Sequence, residues 1–453
     1  MFNNLDEQIL DRISLWLLIA IIVVVPLLYL PQFEQNKGTI YKIGEYDQIV
    51  PLLKDYTTKP KFYALLVLVC FLLIIHYMKI KKKEKQINWR QEYLPLVLFL
   101  GLVFISALAS PYKNIVIYGK TYRHEGLLAF FVYGILFFST ISIIDTKEKL
   151  KKLFKYLFIS AVVISIIGLI QYCGYDLIKF QAKQVRAEST LGNPDFAGSY
   201  VSMLFPLSFV LFFYAKTKKE LWFLGTVTTI FYAFLVATGT RSAYVALLAF
   251  IPLVIYLLYD KLLANKKRLI IIILILSIVT VFLAKINSNY SWNRFLSLFL
   301  EGKTLVTGTE EEIDKVGSSR MYIYKTTVPL LLKNPLLGSG PDTFQIVYPQ
   351  EKYREFKGRM LILDKAHSEY LQLGVTLGIP ALIAYLWFLF VVLKKTLITI
   401  STKKKYQIAL FLAVISYLVQ ATFNISVIAV APVFWILLGL NFVVVDLNES
   451  SIS

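Results

Sequence analysis

The chain has 453 residues, 57% of them hydrophobic and only 17% charged, with a mean hydropathy of +0.63 and a formal net charge of +19. That much apolar surface exceeds what one water-facing core can bury, which excludes an ordinary soluble domain. A basic balance alone would suit nucleic acid, but no basic face with interleaved aromatics stands outside the apolar stretches, so nucleic-acid binding is set aside.

Apolar stretches recur along the chain at the length a helix needs to cross the hydrocarbon layer, roughly 20 residues. They predict spans at 13–30, 62–78, 93–109, 127–144, 154–173, 196–214, 221–237, 242–259, 269–284, 372–393, 406–424 and 427–445. These stretches lack the alternation of barrel strands, so every backbone amide must be satisfied within a helix. The fold class is all-α: a polytopic membrane protein with about 12 transmembrane helices and one large external loop containing short helices. Residues 1–284 carry helices 1–9, residues 285–371 form the loop, and residues 372–453 carry helices 10–12 and a cytoplasmic tail.

Orientation follows from the short connections, where Lys and Arg accumulate on the cytoplasmic side. The stretches 79–90, 145–155, 215–220, 260–268 and 394–405 hold 23 basic residues against five acids. They account for nearly all of the net charge and face anionic lipid headgroups. Both termini are expected inside, the first span acting as a retained signal anchor, with 31–61, 110–126, 174–195, 238–241 and 285–371 outside. Cys70 and Cys173 fall at different depths, which argues against a disulfide.

The stretch from Lys285 to Ala366 is long enough to carry structure of its own. Its polar part, 303–317, predicts a mobile lid or a disordered insertion. Ser318-Ser319-Arg320 is expected to cap a helix running through Lys333, with Tyr322, Val328, Leu331 and Leu332 on the membrane surface. The run Asn334 to Pro341 ends that helix, and a second helical piece is expected from Gln350 to Lys357.

Four external segments combine charge with backbone-breaking residues: Arg186 with Leu191-Gly192-Asn193-Pro194-Asp195, Thr238-Gly239-Thr240-Arg241-Ser242, Ser318-Ser319-Arg320, and Lys365-Ala366-His367-Ser368-Glu369. Arginine binds phosphate oxygens bidentately and stays charged when partly buried, so three arginines converging on one face suit a lipid-linked pyrophosphate. Taken singly, an arginine at a helix end is commonly a snorkelling anchor. Arg241 fits that reading least, because its loop joins two spans with only a few residues. His76 and His124 are weaker candidates than His367.

Together the segments resemble the O-antigen ligase and polymerase family of membrane glycan transferases. The resemblance rests on Arg186 leading into Thr190-Leu191-Gly192-Asn193-Pro194-Asp195-Phe196-Ala197-Gly198, on Thr238 to Ser242, on Ser319-Arg320 followed by Lys333 to Pro341, and on His367-Ser368-Glu369-Tyr370-Leu371-Gln372 followed by Leu377-Gly378. It implies a metal-independent transferase of the bacterial cytoplasmic membrane, active on its external face and needing no cofactor. Such an enzyme takes a glycan from undecaprenyl diphosphate and passes it to a hydroxyl on a glycan, lipid or protein acceptor. By the family's pattern Arg186, Arg241 and Arg320 hold the donor diphosphate and His367 serves as catalytic base, with Asn193, Asp195 and Glu369 as secondary candidates. The family often has Asn where Asp195 stands and a second polar residue where Ala366 stands.

The residues agree with that chemistry: a diphosphate leaving group needs positive charge around it, and the incoming hydroxyl needs a base. Neighbouring arginines favour a neutral, proton-accepting histidine. Glu125, Asp176, Glu188, Asp195, Asp342, Asp364 and Glu369 are external acids available to orient a sugar or the histidine. The donor site is common to ligase and polymerase; the long loop before His367, able to shape a wide acceptor mouth, favours the ligase. A flippase of lipid-linked saccharides, or another transporter, is the rival from a different class. It would place charge at the bilayer midplane rather than at one face.

Overall fold

The computed structural model describes residues 2–30, 38–43, 46–51, 55, 57–82, 89–175, 177, 185–358, 361–399 and 404–449. Asp176, the 83–88 and 400–403 parts of two basic stretches, and the end of the tail from 450 lie outside the described residues.

Among the described residues, nine helices are long and apolar enough to cross a membrane: Glu7–Leu27, Thr58–Lys81, Gln91–Ala109, Lys147–Tyr172, Pro194–Phe213, Lys218–Thr238, Arg241–Ala264, Lys266–Ile286 and Ile379–Ile398. Three shorter apolar helices, Leu127–Ile143, Lys405–Ala421 and Ala431–Asp446, stand where the fourth, eleventh and twelfth spans are expected. A small antiparallel hairpin, Gly38–Ile43 with Tyr46–Pro51, interrupts this helical architecture.

Pro194–Phe213 is apolar on every side, and a helix of that kind belongs in the middle of a bundle. It is buried along its length against Lys405–Ala421, Lys218–Thr238 and Arg241–Ala264. Lys266–Ile286 is the opposite case, with Ile270, Ile271, Ile273, Leu274, Ile278 and Phe282 all pointing outward. That surface is the bundle's apolar periphery.

Two expectations are corrected. The tenth span starts at Ile379, not at 372, because the apolar run is two helices, Glu369–Leu377 and Ile379–Thr399, broken at Gly378 with φ +91°. The Asn334 to Pro341 run forces the break by packing its backbone into the junction. Ser339 and Gly340 donate to the carbonyls of Val375 and Thr376 at 3.2 and 2.7 Å, and Ile379 donates to Pro335 at 2.7 Å. A Cβ on Gly338 would collide with the Thr376 backbone, so a residue without a side chain is required there.

Residues 303–317 are not a disordered insertion; they belong to two helices, Tyr290–Thr307 and Glu310–Leu331. Thr309 and Glu312 form a reciprocal capping box, and the acidic first turn suits the helix dipole. The second helix is interrupted at Val316 to Ser319, where Gly317, Ser318 and Ser319 take positive φ, and it resumes at Arg320 close to the expected start. Gln350–Lys357 is helical as expected. Tyr322 stacks on Phe356 with ring centroids 3.9 Å apart. A second core of Ile323, Leu330, Phe344, Tyr348, Leu363 and Val375 holds these pieces together.

The basic and motif-bearing segments occupy opposite ends of the bundle. At one end Asp11 pairs with Lys79 and Lys149, Asp446 pairs with Arg90 and Lys395, and Arg268 donates to the Ala215 carbonyl. All four motif segments meet at the other.

Candidate functional site

The Gly192-Asn193-Pro194-Asp195 run starts the central helix. The Asn193 side chain caps it by accepting from Asp195 N–H at 2.8 Å, and Pro194 takes the first helical position. Asn193 therefore shapes the site rather than facing it. Asp195 meets Arg186 at 2.5 Å and Arg320 at 3.7 Å. Arg186 also donates to the Thr238 carbonyl at 2.8 Å and to Thr240 Oγ1 at 2.9 Å. Gly198, one turn below, lets Thr240 approach closely enough to donate to the Pro194 carbonyl at 2.8 Å. The first two motifs are thus one structural unit.

Arg241 is buried and turns away from Asp195. Its guanidinium is held by Glu301 and Ser318, while its Nε has no hydrogen-bond partner among the described residues. Glu301 also accepts from Gly317 N–H at 3.1 Å, so this carboxylate ties Arg241 to the kink preceding Arg320. Arg294, which donates to the Gly239 carbonyl at 3.2 Å, is a further cation the motifs did not reveal. Burial and the proximity of Arg241 and Arg186 lower its pKa.

His367 sits on the turn between the loop and the Glu369–Leu377 helix with φ +51°, its carbonyl accepting from Tyr324 Oη at 2.8 Å. No hydrogen bond engages its ring among the described residues. Burial, then Arg320, pushes its pKa down to about 4; Arg123 adds to this, while Asp364 and Asp195 oppose it. The imidazole is therefore neutral at ordinary pH. Arg123 is the second cation that sequence reasoning missed. It grips Asp364 at 2.5 Å and lies over the Phe196 ring at 5.4 Å. Its signal in the sequence was only an arginine in a short connection between two glycines, Gly119 and Gly126.

Glu369 is near His367 in sequence but faces the interior, accepting from Tyr385 Oη at 2.7 Å and Tyr417 Oη at 3.0 Å. Burial raises its pKa to about 7. Across a small cavity Lys365 bonds Asp342 at 2.6 Å and lies 3.5 Å from Glu125. Burial alone would lower the lysine's pKa, but these two carboxylates outweigh it. Asp342 also accepts from the backbone of Lys120 at 2.7 Å. Glu369 and Lys365 anchor the His367 turn from beneath. Of the other histidines, His76 bonds the Leu72 carbonyl within its own helix, and His124 stacks on Phe62 beside Asp55. Both cysteines are free.

The structure thus brings Arg186, Asp195, Arg320 and His367 together, with Arg241 beside them through Glu301, and separates Asn193 and Glu369 into supporting positions. No curated protein matches the chain. Residues 226–386 match the O-antigen ligase family model, a stretch that takes in three of the four motifs; the fourth, around Arg186, joins them through Thr238 and Thr240. The match bears out the resemblance carried by the motifs: over residues 226–386 this membrane protein is similar to the O-antigen ligase family.

Proposed function

We propose that the protein is a metal-independent glycan ligase on the external face of the bacterial cytoplasmic membrane, transferring a glycan from undecaprenyl diphosphate to an acceptor hydroxyl. The observation that carries this reading is a neutral His367 set among arginines that outnumber their carboxylate partners. Arg123, Arg186, Arg241, Arg294 and Arg320 face Asp195, Asp364 and Glu301, leaving positive charge for an incoming diphosphate. The two helices that carry Arg241 and Arg294 also line an apolar groove with Tyr244, Leu248, Ile251, Trp292 and Phe295, a suitable bed for a polyprenyl chain.

In this reading the acceptor oxygen bonds to the anomeric carbon as the bond from that carbon to the diphosphate oxygen breaks, and the diphosphate leaves with the electron pair. His367 takes the hydroxyl proton. Arg186, Arg320 and Arg241 stabilise the departing anion, exchanging carboxylate partners for phosphate oxygens. Incubating the purified protein with a synthetic polyprenyl diphosphate glycan and candidate acceptors tests this. Acceptor-dependent release of free polyprenyl diphosphate, unaffected by EDTA, is expected. Elongation of the lipid-linked chain itself would instead identify a repeat-unit polymerase, and no release with any acceptor would sink the reading.

The external placement has its own test. Ser288 and Lys352 are exposed at the site end. Single cysteines there, in a background without Cys70 and Cys173, are expected to react with an impermeant maleimide in intact cells. Protection of both until lysis would turn the protein over in the membrane.

A further inference from the structure

At the end of the bundle away from His367, the Lys218–Thr238 and Lys266–Ile286 helices leave between them a groove with about 850 Å³ of empty space. Its walls are Phe212, Leu221, Ile230, Ile271, Ile272 and Ile275, and Gly225 and Thr226 keep its floor low. One polar side chain of full charge closes it: Arg268, half-buried, with Nη1 donating to the Ala215 carbonyl at 3.1 Å. Trp222, also in the lining, is 76% exposed, as an aromatic at headgroup level would be.

The charge around the Arg268 end is one-sided. Lys216 precedes one helix and Lys218 and Lys219 begin it, and Lys261, Lys266 and Lys267 precede Arg268 on the other side. Lys405 and Lys151 lie close enough to Lys216 and Glu220 to interact with them. The two acids in these connections do not balance this set, and Glu220 is occupied by the backbone of Lys216 and Thr217 at its capping box. Three cations in the first turn of Lys266–Ile286 also sit unfavourably at the positive end of a helix. An anion placed among them removes that cost, and an apolar chain attached to the anion fills the groove.

We propose that this groove binds one anionic glycerophospholipid, with an acyl chain between the two helices and the phosphate against Arg268. An apolar slot ending in a half-buried arginine matches a molecule that carries an acyl chain and a phosphate together, and the surrounding lysines select a net negative headgroup over a zwitterionic one. The lipid would wedge the Lys266–Ile286 helix, which is little buried by protein, against the bundle. This site is independent of the donor cleft at the opposite end.

Native mass spectrometry of the detergent-purified full chain, with added phosphatidylglycerol or phosphatidylcholine, tests the proposal. One phosphatidylglycerol is expected to remain bound where phosphatidylcholine is lost. Arg268→Ala is expected to weaken that binding roughly tenfold or more, and Arg268→Lys to restore part of it. Thr226→Trp, which fills the groove without touching the charge, is expected to abolish it. Equal retention of the two lipids, unchanged binding in Arg268→Ala, or full binding in Thr226→Trp would each overturn the assignment.

Discussion

The cleft around His367 and the cavity beneath it both gather charged side chains and differ in how those charges are partnered. In the cleft arginines outnumber carboxylates, and the His367 ring is unengaged. In the cavity Lys365 is matched by Asp342 and Glu125, and Glu369 is held by two tyrosines. A cluster with excess cations and access to solvent can exchange its partners for a ligand, whereas a buried one whose charges are all partnered resists change, because removing a partner strands a charge. The upper layer is therefore read as chemistry and the lower as its support. Substitutions in the two layers should fail in different ways.

The largest effect is expected at His367. Replacing it with Gln, which cannot accept the proton, should lower acceptor-dependent turnover by about 10²–10⁴-fold with donor binding unchanged. In the wild type the acid limb of kcat/KM, which reports the free enzyme, should lie below the ordinary histidine range, because His367 titrates at about 4. A bound diphosphate raises that pKa, so the limb for kcat should sit at higher pH. Near-normal turnover in the variant, or loss of donor affinity, would move His367 out of the base role.

Lys365→Met tests the lower layer. It leaves Asp342 and Glu125 buried without their cation, a change that typically costs about 3–5 kcal/mol. The expected result is a large drop in denaturation midpoint, partly recovered by adding Asp342→Asn. A variant that kept its stability and lost only turnover would show that Lys365 belongs to the chemistry after all.

Arg186→Ala should weaken donor binding by roughly one to two orders of magnitude, in line with the loss of charge-assisted hydrogen bonds worth about 1.5–3 kcal/mol. Lys should restore only part, since the bidentate fork is lost. Arg241→Ala separates two roles. If Arg241 contacts donor only after release from Glu301, its loss should weaken binding less than that of Arg186. An equal loss would mean both bind directly, and an unchanged affinity would leave Arg241 as a clamp on the Val316 to Ser319 kink.

The positions of the spans were legible because hydropathy over a helix length is a local property, and the helix positions in the fold follow it closely. The break at Gly378 was missed although Gly378 and Pro380 mark it locally, because the apolar run continues through them; the Pro335 backbone, some forty residues earlier, then holds the junction through Ile379. Tyr290–Thr307 escaped notice for a different reason: it is neither apolar enough to read as a span nor marked by a cap. In the site, the four motifs identified Arg186, Arg241, Arg320 and His367 through their flanking breakers. Arg123, Arg294 and Glu301 stand outside those motifs and acquire meaning only through partners far along the chain, as Arg241 and Glu301 do across 60 residues.

The smallest effect distinguishes the layers most finely. Glu369 titrates at about 7 in the folded protein because burial disfavours its charge, against 4.5 for an ordinary glutamate. Between those values the unfolded chain gives up its proton and the folded chain keeps it, so rising pH favours unfolding; the group's contribution is fully present below about 4.5 and is lost as pH climbs through 7. Gln resembles the protonated carboxyl, with an oxygen for one tyrosine and an amide for the other, and does not titrate. At pH 5 the Glu369→Gln protein should therefore differ little from the wild type in its denaturation midpoint. By pH 8 it should be the more stable of the two. Turnover should follow the same pattern, modestly and without the loss of proton acceptance seen in His367→Gln. A variant that lost its activity at every pH while keeping its stability would make Glu369 a participant in the reaction and erase the division between the two layers.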